Sequence, residues 1–335
     1  MSKPREGGAP APSLPSRARA LADAGAWADV SALLGRHRES IRPHAPTATL
    51  YAESLVRTGR ASEARTWLES IVPAITRDRS SLRRATVLTG AAYFELGDLA
   101  SARRWFHDTL ELAREDGDEP LVARAMNNLG AVENVQGRRA EAIANYQLAA
   151  AAHQRMGSAR GLAECYHNMA ITFRDLSQLD NADELEQRCV EFARDLPDPR
   201  LVALARLGRA EIALRRGDAA LAEASARRVA RDFANGGDPV READALRLAG
   251  VACTTLGRFD DARQLLDEAV DRTRQHGALL NQAESLRARA ELSAAVGRLD
   301  DARTDAASAL RLFEELRAID DAAKLTRWIE GLPVE

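Results

Sequence analysis

Aromatic residues make up only 4% of this 335-residue chain. With β-branched residues sparse as well, the composition points to an all-helical protein whose cores are filled by small and aliphatic side chains. Lysine is almost missing: only Lys3 and Lys324 occur, so nearly all positive charge is arginine. Two readings of this bias stand side by side: a GC-rich bacterial genome, and selection for bidentate carboxylate recognition. The even spread of arginine along the chain favours the first. There are three cysteines, Cys165, Cys189 and Cys253. They form no CxxC or Cys/His ligand spacing, and are expected to be small buried residues in a reducing cytoplasm. No apolar run approaches the roughly 18 residues of a membrane span. Met1 to Ser16, rich in Pro, Gly, Ala and Ser, lacks the hydrophobic segment of a secretory signal and reads as a disordered lead-in.

Chemical signatures are missing too. No P-loop, GxGxxG, GxSxG elbow or HExxH occurs, and the six histidines are scattered. Neither an enzyme, a bound metal nor a cofactor is therefore expected. The formal net charge of −3 gives no reason to expect a nucleic-acid partner. Acidic pairs such as Asp260-Asp261 and Asp300-Asp301 read as helix starts, where negative charge offsets the helix dipole.

What is present is a repeat. Gly97, Gly137, Gly217, Gly257 and Gly297 keep a 40-residue interval, with Ser177 in the remaining slot. Five positions after each slot stands alanine: Ala102, Ala142, Ala182, Ala222, Ala262 and Ala302. Seven before it stands a small residue: Gly90, Gly130, Ala170, Ala210, Gly250 and Ala290. Two helices packed closely need small side chains where their axes approach, and the tight turn between them favours glycine. A second set of breakers marks the return turns, including Gly117–Pro120, Gly157-Ser158, Pro197–Pro199, Gly236–Pro239 and Gly277. Pro120 and Pro239 suit first-turn positions. The spacing predicts helices near 121–135 and 138–155, recurring every 40 residues. Gly25 and Gly59 mark less regular units ahead of Gly97, as expected of terminal repeats. Residues 320–330 place Leu325, Trp328 and Ile329 on one face and read as a capping helix. The expected architecture is all-α: a tail at 1–16, a solenoid of about eight helix pairs at 17–319, regular from about 82, and a cap and tail at 320–335.

These columns resemble the tetratricopeptide repeat. Leu129-Gly130, Gly137, Ala142 and Tyr146 follow its consensus in the fourth unit; Gly90, Tyr93, Gly97, Ala102 and Phe106 follow it in the third. The 40-residue period is similar to the long-repeat branch, which includes bacterial sensor and adaptor arms. Glu186, Ala226 and Ala306 depart from the aromatic of the second helix, which implies looser packing or an unusual side chain in the groove. The resemblance implies a right-handed superhelix whose first helices line a concave surface. It places groove positions 13, 10, 6, 3 and 2 residues before the turn slot, and the first four also form one stripe by helical spacing. The stripe gives Arg84, Val87, Ala91 and Phe94 in the third unit, Arg124, Asn127, Ala131 and Asn134 in the fourth, and Glu164, His167, Ile171 and Arg174 in the fifth. Leu204, Leu207, Glu211 and Leu214 follow, then Asp244, Arg247, Val251 and Thr254, then Glu284, Arg287, Glu291 and Ala294.

The ligand-binding expectation falls on units three to five. Arg84, Arg124 and Arg174 suit ligand carboxylates. Asn127, Asn128, Asn134 and Asn168 offer amides that donate and accept together, and the resemblance implies that Asn128 and Asn168 hold the backbone of an extended peptide. His167 adds a polar group; Phe94 and Ile171 add apolar contact. The alternatives are that the asparagines bridge helices, that His167 is a satisfied polar side chain and that Phe94 turns inward. Leu204, Leu207 and Leu214 offer a second apolar contact. The expected function is a cytoplasmic scaffold binding a protein or peptide. The second expectation is a sensor; residues 1–16 are too short for a DNA-binding module, so it would act on a separate effector or be a fragment of a larger chain. Self-association is the third.

Overall fold

The computed structural model describes residues 13–333. Of the expected tail, residues 1–12 lie outside the described residues. Ser13 caps the first helix, which begins at Leu14 rather than 17.

The described chain is a succession of antiparallel helix pairs. Two irregular units come first: α1 (Leu14–Asp23) with α2 (Trp27–Gly35), then, after the single turn α3 (Arg38–Ile41), α4 (Ala45–Arg57) with α5 (Ala61–Ile71). Six regular units follow: α6 (Arg79–Glu95) with α7 (Leu99–Glu115), α8 (Glu119–Val135) with α9 (Arg139–Arg155), and α10 (Ala159–Asp175) with α11 (Leu179–Ala193). The remaining pairs are α12 (Arg200–Arg215) with α13 (Ala219–Gly236), α14 (Pro239–Thr255) with α15 (Phe259–His276), and α16 (Leu279–Ala295) with α17 (Leu299–Glu315). The cap, α18 (Ile319–Glu330), closes the described chain. This is the expected all-α solenoid of eight pairs and a capping helix.

The small-residue columns have a direct cause in packing. A Cβ added to Gly90 would lie 2.5 Å from the Phe106 ring, one on Gly130 2.7 Å from Tyr146, and one on Gly250 2.7 Å from Leu266. Each contact joins the first helix of a unit to a residue 16 positions later on the second. Where that later residue is Ala226 or Ala306, the earlier one is Ala210 or Ala290. In five of the six regular units Gly faces a bulky partner or Ala faces Ala, so the columns compensate in volume; Ala170, opposite Glu186, is the exception. The departures from the consensus aromatic are therefore matched across the pair: Ala226 and Ala306 are fully buried. The turn slot is also explained. The five glycines have φ from 73° to 92°, and Ser177 takes the same left-handed conformation at φ 60°.

First helices of neighbouring units touch each other directly, as in α4 with α6, α10 with α12 and α14 with α16. That crowding puts them on the inside of the curve. The curve closes on itself. Gly25 lies against Pro197, Gly59 against Asp238 and Val240, Gly97 against Leu279 and Leu316, and Gly137 against Asp320. Each contact joins turns four to five units apart, so one superhelical turn rests on the next. Ion pairs rivet this seam: Arg57 donates to Asp198 at 2.9 Å, Arg241 to Glu95 at 2.6 Å, and Arg139 pairs with Asp320. The concave face is thereby enclosed as a lumen.

Candidate functional site: a charged lumen

The expected stripe runs along the first helices, and ten of its 24 residues are charged. Its arginines differ sharply in what surrounds them. Arg84 pairs with Glu53, and Arg57 donates to the same carboxylate at 2.9 Å. Burial would raise the Glu53 carboxyl, but Arg57, Arg84 and Arg124 outweigh it and hold the group at about 2. Arg174 sits 3.3 Å from Glu211, whose other oxygen accepts from Arg215 at 3.3 Å. Arg247 meets Asp244 at 2.7 Å and Glu284 at 3.4 Å, and Arg287 meets Asp321 at 3.4 Å. Burial raises the Glu284 carboxyl despite Arg247, whereas Glu211, equally enclosed, is lowered by its three arginines. Among the described residues Arg124 alone of the stripe arginines has no carboxylate within ion-pair distance. It is half-buried, and its charge is felt at both Glu53 and His153.

The expected amides divide in the same way. Asn127 is 4% exposed and accepts at Oδ1 from Asn168 Nδ2 at 3.1 Å. Asn134 is buried, accepts from the Thr172 hydroxyl at 2.8 Å and donates to Asp175 at 3.5 Å. These two asparagines therefore lie between α8 and α10 instead of facing the lumen. The reason is local: first helices touch along this line, and a buried amide must find partners there. Val87 and Leu207, at the same stripe position as Asn127, are buried for the same reason. Asn128 is half-buried and keeps its amide free of side-chain bonds among the described residues, and Asn168 keeps its carbonyl. Phe94 is half-buried against the cluster built on Phe106 and Leu129, so it lies largely between units. Ile171 is half-buried.

His167 has a partner that its spacing along the helix did not reveal. Its Nδ1 lies 3.0 Å from Glu186, a carboxylate with no solvent exposure. Glu186 occupies the slot filled by Phe106 and Tyr146 in the units before it, and it reaches the backbone of α12 at Gly208. The pair was legible as a departure from the aromatic column, but its meaning required the fold. The cysteines are free and buried, and burial pushes the Cys165 thiol up to about 12, which leaves it no thiolate for chemistry. No cluster of three or more His, Cys, Asp or Glu side chains suited to a metal occurs among the described residues.

At the far end of the lumen lies a cavity of about 390 Å³ under α18, reached by side chains of α12, α14 and α16. The stripe residues that line it were identified by spacing, but the sequence placed the site in units three to five and not here.

Sequence models of the tetratricopeptide repeat match residues 121–195 and 207–278. No curated protein matches the chain by sequence. Solved structures resemble it in fold. The Rap protein complexed with competence and sporulation factor superposes with a TM-score of 0.63 at 13% identity, covering 94% of this chain and 95% of that one. The Cut9 and Hcn1 hetero-tetramer of the APC/C gives 0.63 at 17% identity, covering 93% of this chain and 55% of that one. NprR in complex with its cognate peptide NprX gives 0.60 at 14% identity, covering 80% of each. Repeat columns, helix pairs and matched models agree: the chain is a tetratricopeptide repeat protein.

Proposed function

We propose that the chain is a non-enzymatic scaffold of the cytoplasm that holds an extended peptide or protein segment in its lumen. The observation that carries this reading is Arg124. A half-buried arginine with no carboxylate within ion-pair distance keeps its guanidinium available to a ligand. A ligand carboxylate at Arg124 would form paired hydrogen bonds. Asn128 and the free carbonyl of Asn168 flank it at one-repeat spacing and suit a peptide backbone. The closed seam preorganises this arrangement, so little ordering cost falls on the protein. The complexes of Rap with its factor and of NprR with its peptide supply precedent on similar folds.

A second reading is a sensor of such a ligand acting on a separate effector. The seam favours it, because a ligand that shifts units three to five must also shift the turns stacked on them. No helix among the described residues is long and apolar enough to cross a membrane, which agrees with either reading.

The test is capture from an extract of the source cell by the wild-type chain, by Arg124→Glu and by Arg103→Glu, an exposed α7 control. A peptide or protein retained by wild type and control but lost on Arg124→Glu, with helicity unchanged, supports the lumen site. Equal retention by all three sinks it.

A further inference from the structure

The superhelical seam uses only half of each edge of the solenoid. One edge carries the turns inside the helix pairs, the other the return turns between pairs. The slots of units one to four, Gly25, Gly59, Gly97 and Gly137, are shielded by the return turns ahead of units six to nine, with α18 counted as the ninth. The slots of units five to eight, Ser177, Gly217, Gly257 and Gly297, are all exposed. A Cβ on any of these three glycines would meet nothing within 4 Å among the described residues. The return edge divides the opposite way. Asp198, Asp238, Ala278 and Ala318, in the turns that the seam uses, are buried. Their counterparts Asp118 and Ser158 are only half-buried, and Gly117 and Gly157 beside them are exposed.

The unused edges carry apolar side chains. Leu176 and Leu256 precede their slots and are exposed, whereas Leu96, at the same position in unit three, lies against Gly277. Phe259 is 38% exposed where its counterpart Leu99 is 5%. Between the turns of units seven and eight is a cleft of about 610 Å³, lined in part by Phe259, Val296, Arg258 and Arg298. The corresponding notch of units three and four is filled by Leu316, which lies against Gly97 in a cluster that Val135 joins. Met156 stands four repeats before Leu316, on the unused return edge, and is 37% exposed where Leu316 is 2%.

We propose that the two unused edges bind each other between copies, so that the chain stacks head to tail on a second copy of itself. Continuity with the seam identifies the occupant. The chain's own return turns already fit its own turn notches, and every copy brings an unused half of each. Met156 of one copy takes an open notch of the next as Leu316 does within the chain. Scattered exposed leucines would need no partner. Here Leu176, Leu221, Leu256, Phe259 and Met156, five of the eight large apolar side chains exposed among the described residues, lie within four positions of an unused turn. A contact between different edges is heterologous and leaves one edge of each terminal copy free, so assembly continues past the dimer. Arg124 and the lumen take no part in it.

The experiment is sedimentation equilibrium of the full chain from about 1 to 500 μM, with two edge variants. Leu176→Glu with Leu256→Glu blocks the turn edge, and Thr76→Glu with Met156→Glu blocks the return edge. All four side chains are exposed, so the variants keep the fold, which circular dichroism checks. Leu148→Glu, at an exposed leucine midway along α9, controls for nonspecific apolar association. Wild type and Leu148→Glu are expected to rise in average mass with concentration, past twice the 36.4 kDa of one chain. Each edge variant alone should stay monomeric, because its intact edge meets only a blocked one. An equimolar mixture of the two should form a dimer and stop there, because one intact pair of edges is used and both outer edges are blocked. The proposal is overturned by a wild type that stays monomeric throughout, which would leave these edges to a different partner. It is equally overturned by an edge variant that dimerises alone, which would mean isologous pairing, by a mixture that stays monomeric, or by association lost on Leu148→Glu.

Discussion

Volume compensation between the two small-residue columns makes a sign-reversal prediction. Gly90→Ala places a Cβ 2.5 Å from Phe106 Cε1 and 2.6 Å from Cδ1, where ordinary contact begins at 3.4 Å. The ring must retreat by nearly 1 Å, and it is 2% exposed with neighbours on all sides. Overpacking of this kind costs about 1–3 kcal/mol. Alanine in place of a mid-helix glycine returns about 1 kcal/mol of propensity, so the net loss should be about 1 kcal/mol. Phe106→Ala removes the obstacle and by itself costs about 3–5 kcal/mol. In that background Gly90→Ala recreates the Ala210 and Ala226 pairing and should stabilise by about 1 kcal/mol. The assay is urea unfolding of the four proteins, each with Trp27, Trp67 and Trp328 replaced by Phe so that fluorescence reports Trp105, the neighbour of Phe106 on α7. A local reporter is needed because a solenoid unfolds by units and a global midpoint averages over them. The same change in stability in both backgrounds would mean that the glycine column exists for some reason other than the bulk opposite it.

Three further outcomes follow from the lumen and the turns. Glu53 is lowered to about 2 in the folded chain, so its contribution is complete above its unfolded value near 4.5 and disappears as pH falls from there toward 2; this amounts to about 3 kcal/mol, and Glu53→Gln should flatten that part of the acid-unfolding curve. Arg174→Ala removes one of the three arginines around the half-buried Glu211 and should cost about 1–3 kcal/mol in denaturant unfolding, while Arg124→Ala should change stability by no more than about 0.5 kcal/mol; similar losses for the two would contradict the division into structural and free arginines. Ser177→Gly relieves left-handed strain of about 1–2 kcal/mol against an entropy cost of about 0.5–1 kcal/mol, so a modest rise in the urea midpoint is expected, and a fall would show that the serine is held by something other than the turn.

Much of this molecule is written in short-range spacing. The 40-residue columns, the glycine turns with Ser177 among them, the acidic first turns of α15 and α17 and the apolar face of α18 are properties of one helix or one helix pair, where each residue's neighbours lie within about twenty positions. Periodicity therefore marked the helix pairs, the turns and the number of units. It could not say which stripe residues are free. Arg84, Arg124 and Arg174 look equivalent in sequence, and only the packing of successive units supplies Glu53 and Glu211 to two of them. Asn127 and Asn134 looked like groove amides until direct contact between α8 and α10 buried them. The seam is still further from sequence. Its partners are 141 to 181 positions apart, and they meet only because small rotations between units accumulate into a turn that closes. That accumulated curvature made a lumen from a groove and, with α18 packed on α17, left a cavity lined by α12, α14, α16 and α18.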